Sequence, residues 1–372
     1  MVFVCSRIMI FLVWSCVASI DIDSGPTHRV GAPFIDLRSD VILNSIEKMS
    51  VYQDAGEYFG IAQDGYEVRS FDATRVANWA FFPLHPMIWR ALVPLFGNSP
   101  LVGVILANIY FLIALVVLHR TCLALDYESL TADRALLAIA FFPTSYFFCL
   151  PWTESLFLLV TCSTIYAALR HRWALAAVLG TAACACRLAG IFLVCALVIW
   201  AWENRKTLPR LAWVAIAVMP LGLILFMAML HSDTGNALAF LDIQSVWGRH
   251  FELPIRALGV VLIKPLILAS DGNLRHWNFL VFFAALYAAY WFAFRRNQLW
   301  LATFLLLGTI VPTLTGSIAS ESRYVMALFP FSIAIGQSMR NVNVERVVLI
   351  VFPALLVLSA VALQAHLSFA SV

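Results

Sequence analysis

Apolar residues in this chain fall in long blocks instead of short alternation. Runs of about 15 to 22 such residues recur near 3–20, 99–118, 135–150, 155–169, 173–187, 190–202, 211–230, 277–294, 298–316, 324–339 and 347–365. A helix needs roughly 20 apolar residues to cross the hydrocarbon core of a bilayer, so the pattern predicts about 9 to 11 spans, the one at 190–202 being short. Helices are the expected spanning element because backbone groups in lipid must be bonded internally. The first run could also be a cleaved leader, since "SCVAS" (Ser15 to Ser19) offers small residues, with Arg7 the only positive charge before it.

Arginine and lysine in the short connections set the orientation. One alternate set holds Arg120 and Arg134, Arg170 and Arg172, Arg205, Lys206 and Arg210, Arg295 and Arg296, and Arg340 and Arg346. These connections are expected in the cytoplasm. The other short ones, "LPWTE" (Leu150 to Glu154) and "GSIASESR" (Gly316 to Arg323), carry almost no base and are expected outside, with two long loops, 21–98 and 231–276. Residues 254–270 look like a span by hydropathy, but counting them would put Arg295 and Arg296 outside. With Arg256, Lys264 and Pro265 inside it, the segment reads as an interfacial or re-entrant helix. The chain 1–372 is thus expected to be one integral membrane domain, all-α and polytopic.

Composition agrees. Hydrophobic residues make up 62% and charged residues 12% of 372 residues, with a mean hydropathy of +0.88, against roughly 25% charged in soluble domains. A net charge of +3 without basic runs gives no footprint for nucleic acid. The eight cysteines lie in or beside apolar segments and read as small buried hydrophobes; Cys184-Ala-Cys186 lacks the spacer common in metal or redox pairs. No metal site is expected: a divalent metal is conceivable, but no residue pattern supports it.

The polar groups collect on the expected outer face. The first outer loop holds ten of the 21 acids, together with "VILNSIEKM" (Val41 to Met49) and "AFFPLHPMIWRALVPLF" (Ala80 to Phe96), which read as amphipathic pieces lying on the bilayer. Asp54, Glu57, Tyr58 and Ile61 share one helical face by spacing. They could be an ordinary solvated helix, or a carboxylate beside aromatics placed to take a proton from a hydroxyl. "FFPTSYFFCLPWTESLF" puts Thr153, Glu154 and Ser155 in a turn that could equally be a helix cap. "FLDIQSVWGRHFELP" brings Gln244, Trp247, Arg249 and His250 to the second loop, and "SESRYVMALFP" puts Glu321, Arg323 and Tyr324 at the outer mouth of a span. Guanidinium is the preferred partner of phosphate, which marks Arg323. Arg187 interrupts an apolar run and is either a functional ionisable group or a snorkelling, helix-paired one.

With these residues in place, the chain resembles the PIG-V-like mannosyltransferases, membrane glycosyltransferases of the GT-C fold, from about Gln53 to Gly336. The residues that carry the resemblance are "QDAGEYFGIAQDGY", "ANWAFFPLHP", "FFPTSYFFCLPWTESLFLL", "RWALAAVLGTAACACRLAGIFLV", "QSVWGR" and "SRYVMALFPF". The sequence departs from the family at Gln53 and Glu57, where tryptophans are usual, at Ala55, where glycine is, and at His85, where tyrosine is. The resemblance implies a GT-C-like bundle and transfer of one sugar, mannose by family, from a polyprenyl-phosphate-linked donor with inversion. By position Asp54 is the family's catalytic aspartate. Arg323, with Arg249 or Arg187, would hold the donor phosphate. Glu57, Tyr58, Asn78, Trp79, His85, Glu154, Gln244, Trp247 and Tyr324 would line the substrate, and Phe81, Phe82 and Trp152 could stack on sugar or line a lipid groove. Membrane lipid and the lipid-linked donor are the implied partners. The acceptor is open, and no cofactor is required. The implied location is the bacterial inner membrane with the site facing outward, or the endoplasmic reticulum in a eukaryote.

Three other classes compete. A transporter or flippase would also carry ionisable groups between helices, but no inverted repeat is visible in the hydropathy. A non-catalytic scaffold subunit stays open because of the altered residues beside Asp54. A metal-using phosphotransferase would show acids or histidines at ligand spacing, and Asp21-Ile-Asp23 is the nearest approach.

Overall fold

The computed structural model describes residues 1–19, 46–47, 49–253, 255, 258–259, 275–318 and 320–364. Most of the re-entrant segment expected at 254–270, most of "VILNSIEKM", and Asp21, Asp23, Asp36 and Asp40 lie outside the described residues. What is described is helical: α1 (Val2–Ser19), α2 (Asp54–Asp64), α3 (Leu84–Phe96), α4 (Leu101–Ala124), α5 (Ser129–Ala140), α6 (Glu154–Leu169), α7 (Trp173–Cys186), α8 (Gly190–Glu203), α9 (Arg210–Val218), α10 (Leu221–Thr234), α11 (Ala239–Asp242), α12 (Arg275–Phe294), α13 (Leu299–Thr313), α14 (Glu321–Met326), α15 (Phe329–Ser338) and α16 (Val342–Gln364). Among the described residues the only bridge of sheet type is the isolated pair Glu252 and Thr315.

Four stretches are long and apolar enough to cross a membrane, namely α4, α9 with α10, α12 and α16, and five shorter apolar helices accompany them, α1, α6, α7, α8 and α13. The short run at 190–202 is one of these, α8. Two expected spans are corrected. The run 135–150 ends as a helix at Ala140, because Pro143 disfavours helix in the residue before it; a short 3-10 turn, Ser145–Phe148, follows. The run 324–339 splits into α14 and α15; Pro330, in the first turn of the second, has no N–H to give to a preceding turn.

The two interrupted segments pack on each other. A Cβ at Gly336 of α15 would come within 2.7 Å of Ala135 N and Thr131 O, so only glycine lets α5 and α15 approach this closely. Between the interrupted segments and the bundle runs the longest wholly buried stretch among the described residues, every residue from Phe142 to Leu158. "LPWTE" is therefore not a surface connection: it is a short turn covered by α2 and α3. Helix α1 packs against α16 and α5, and its Arg7 is enclosed. The guanidinium donates to Ser145 Oγ and to Cys149 Sγ, both at 2.9 Å, and lies 4.6 Å from the Phe111 ring.

Connections that the charge pattern assigns to one side touch one another. Arg134 pairs with Glu345 at 2.9 Å, Arg340 with Glu128 at 2.7 Å, and Tyr127 Oη donates to Gln298 Oε1 at 2.9 Å. At the opposite end, the first and second long loops share a small aromatic core in which Phe82 meets Phe226 at 4.9 Å and Phe240 at 5.5 Å.

Candidate functional site

Helix α2 forms because Ala55, Tyr58, Ile61 and Ala62 give it one buried stripe, and Gly65 at φ 90° ends it, its N–H closing on Ile61 O. Its first residue is Asp54. The residue before it, Gln53, is held at φ 47°, ψ −121°, a conformation that only glycine adopts without cost. Backbone strain is thus stored one residue from the candidate base.

Asp54 Oδ2 accepts from Arg323 Nη2 at 3.0 Å. Arg323 Nε in turn donates to Glu154 Oε1 at 2.5 Å, and Arg187 Nη1 donates to the same oxygen at 2.6 Å. The result is an unbroken chain, Asp54, Arg323, Glu154, Arg187, drawn from α2, α14, the start of α6 and the α7–α8 connection. Its exposure is graded: the Glu154 side chain is 0% exposed, Arg323 10%, Arg187 17% and Asp54 34%. Two carboxylates and two guanidiniums balance, which is how a buried ionic cluster avoids leaving a charge uncompensated. Arg187 does not sit inside a span. It caps α7 in an extended conformation, so its side chain can turn to Glu154.

Aromatic side chains wall the cluster. The Arg323 guanidinium lies 4.0 Å from the Trp152 ring and 5.3 Å from Phe147, and Tyr324 sits 5.3 Å from Arg187 and 5.7 Å from Arg323. Tyr58 is buried beneath Asp54, with its hydroxyl against Thr153, and burial raises the phenol's pKa above its usual value. Glu57 projects beside Asp54; partial burial first, and then the neighbouring charges of Asp54 and Glu67, push its carboxyl above the usual range. Among the described residues, the Arg323 Nη1 and the Arg187 Nε and Nη2 groups make no hydrogen bond, so donors are left over on both forks. The arrangement can present two guanidiniums to an anion while keeping a carboxylate at the more open edge.

Other residues singled out by sequence lie elsewhere. Asn78 and Trp79 clasp the loop after α2: Asn78 Nδ2 donates to Gly65 O and its Oδ1 accepts from Glu67 N, both at 3.1 Å, and Trp79 Nε1 donates to Glu67 O at 2.9 Å. His85 is fully buried, with Nε2 3.0 Å from Pro151 O. Gln244 and Arg249 bond each other at 3.2 Å on the second loop, where Trp247 is exposed; their hydrogen bonds and ring contacts do not reach the Asp54 cluster. Glu321 is buried and pairs with neither arginine. Among the described residues no group of His, Cys, Asp and Glu side chains gathers that could hold a metal ion. The sequence does not mark Phe147, and it marks Gln53 only as a departure from the resemblance, not as a strained position. The first is one of many phenylalanines in the chain, and the strain at the second carries no local signal, since glutamine is not the residue such a conformation selects.

No protein-family model and no curated protein matches the chain. Among solved structures it is similar to "ArnT from Cupriavidus metallidurans bound to Undecaprenyl phosphate", at a TM-score of 0.53 and 14% sequence identity, over 97% of this chain and 64% of that one. The chain therefore spans somewhat less than two thirds of its neighbour's length. What the two have in common is the fold: this protein is an ArnT-like, GT-C-type bundle of membrane helices.

Proposed function

We propose that this protein transfers a single sugar from a polyprenyl-phosphate-linked donor to a hydroxyl of its acceptor at the outer membrane face, with Asp54 as general base. The observation that carries the reading is the continuous chain from Asp54 through Arg323 and Glu154 to Arg187, open at the Asp54 end. The ArnT-like fold supports it, since that neighbour was solved with undecaprenyl phosphate bound. The resemblance to PIG-V-like mannosyltransferases makes mannose the expected sugar and inversion the expected outcome.

In this scheme the donor phosphate docks on the unbonded N–H groups of Arg187 and Arg323 and displaces Asp54 from Arg323. Glu154 already offsets one of the two guanidinium charges, which leaves one positive charge for the phosphate. A phosphodiester carries one negative charge, whereas a diphosphate carries more than the pair can balance. Asp54, released, accepts the proton of the attacking hydroxyl. The new bond forms at the anomeric carbon on the face opposite the phosphate, the carbon–oxygen bond to phosphate breaks, and the lipid phosphate leaves with the electron pair against the arginines.

The test is incubation of the purified protein in lipid with radiolabelled polyprenyl-phosphate-mannose and a membrane extract. The expected result is a labelled product whose migration identifies the acceptor, and its loss in Asp54→Asn. Wild-type turnover by that variant would remove Asp54 from the role of base. No transfer from any donor would favour the scaffold reading, and movement of intact donor across the bilayer without cleavage would favour the flippase.

A further inference from the structure

Four consecutive residues, Pro151 to Glu154, each hold a different part of the site. The Trp152 ring lies beneath the Arg323 guanidinium at 4.0 Å, and its Nε1 donates to Tyr52 O at 3.3 Å, just before Gln53 and Asp54. Thr153 Oγ1 accepts from Arg187 Nη1 at 3.3 Å, and Glu154 binds both arginines. The turn itself is tight, with Trp152 N closing on Leu150 O at 2.7 Å, and the first N–H to close on α6, Phe157 N, goes to Thr153 O. The Pro151 carbonyl is therefore left outside the helix ladder and needs a side-chain donor in a buried place. His85 reaches it from α3, with Nε2 at 3.0 Å.

We propose that His85 is a positioning residue for the site, acting through the Pro151 carbonyl to fix the turn that aims Trp152, Thr153 and Glu154. A carbonyl can only accept, so Nε2 carries the proton and Nδ1 is bare. The ring is locked edge-on between Tyr58 at 5.6 Å and Tyr110 at 6.0 Å, with Trp89 at 5.7 Å, and none of it is exposed. Burial holds the imidazole neutral, its pKa lowered to about 4. A substrate cannot reach this side chain, and its only hydrogen bond among the described residues points at the turn.

The inference rests on the proposed reading of the site as a phosphate-binding one. Its test compares wild type with His85→Phe, His85→Gln and His85→Asn in phosphatidylcholine nanodiscs, by binding of undecaprenyl phosphate and by sugar transfer, with folding checked by thermal unfolding. His85→Phe fills the space without a donor and is expected to weaken lipid-phosphate binding and lower kcat by about tenfold or more, the scale of a lost buried hydrogen bond. Glutamine places an N–H at similar reach and should recover most of both; asparagine, equally polar but shorter, should not. That pair decides the matter even if the phenylalanine variant fails to fold. Folded glutamine and asparagine variants that behave alike, or a phenylalanine variant with wild-type binding and turnover, would overturn the role of His85 alone. A wild-type protein that neither binds undecaprenyl phosphate nor transfers sugar would instead overturn the functional reading.

Discussion

Asp54→Asn should move binding and turnover in opposite directions. The carboxylate accepts from Arg323 Nη2 at 3.0 Å, where the donor phosphate is proposed to sit, so in the empty site it competes with the substrate. An amide oxygen can still accept from the guanidinium, but without the charge. Hydrogen bonds to charged groups contribute roughly 1.5–3 kcal/mol, and the open position of Asp54 brings this down to about 1–2 kcal/mol. Released from that competition, Arg323 should bind a lipid phosphate about 5- to 30-fold more tightly in the variant. Turnover should fall by roughly 10² to 10⁴ because the base is gone. The assay titrates undecaprenyl phosphate into wild type and variant in nanodiscs, followed by native mass spectrometry or intrinsic fluorescence, alongside transfer from the labelled donor. Unchanged or weaker phosphate binding by Asp54→Asn would refute the idea that the ion pair and the phosphate share Arg323, whatever happened to turnover.

Glu154→Leu leaves two guanidiniums in a buried place without their shared counter-charge and should cost about 3–5 kcal/mol, read as a large fall in Tm in detergent. Arg323→Lys keeps the charge but cannot bond Glu154 and Asp54 as a fork, and it should lower kcat/KM for the donor by about 10²-fold; near wild-type kinetics would mean that a point charge suffices. Gly336→Val drives a side chain into the backbone of α5 and should destabilise by about 1–3 kcal/mol, measured by thermal unfolding. Glu57 has its pKa raised in the fold, so folding favours its protonated form: its contribution is fully present below the ordinary value near 4.5 and is lost as pH rises through the folded pKa. Glu57→Gln should therefore raise Tm at pH 8, with the gain disappearing at pH 4.

The helices, and the gathering of the connections around Arg134, Gln298 and Arg340, were legible because apolar length and arginine placement follow simple physical rules. Arg187 and Arg323 stood out as bases in apolar surroundings, and Asp54 stood out by its place in the resemblance. Their pairing was not legible. Nothing in local spacing announces that Glu154 bonds two arginines 33 and 169 residues further along the chain, or that "PWTE" is buried beneath a loop helix instead of lying on the surface. Hydropathy also merged α14 and α15 into one span, because it counts apolar residues and is blind to the donor that Pro330 lacks. The motif "ANWAFFPLHP" stood out by resemblance, yet Asn78 and Trp79 serve the loop's own backbone, and His85 serves the turn.

The order in which the chain is made gives the ionic cluster a further consequence. A ribosome delivers roughly 5–20 residues per second, so Glu154 enters the membrane well before Arg323 exists. During that interval Arg187 is its nearest available counter-charge. Arg7 waits in the same way for Ser145 and Cys149, 138 and 142 residues on. A nascent chain stopped short of α14 would thus hold Glu154 paired with Arg187 alone and Asp54 without the guanidinium it meets in the finished fold. The charges of this cluster balance only once α14 has been made, late in the chain.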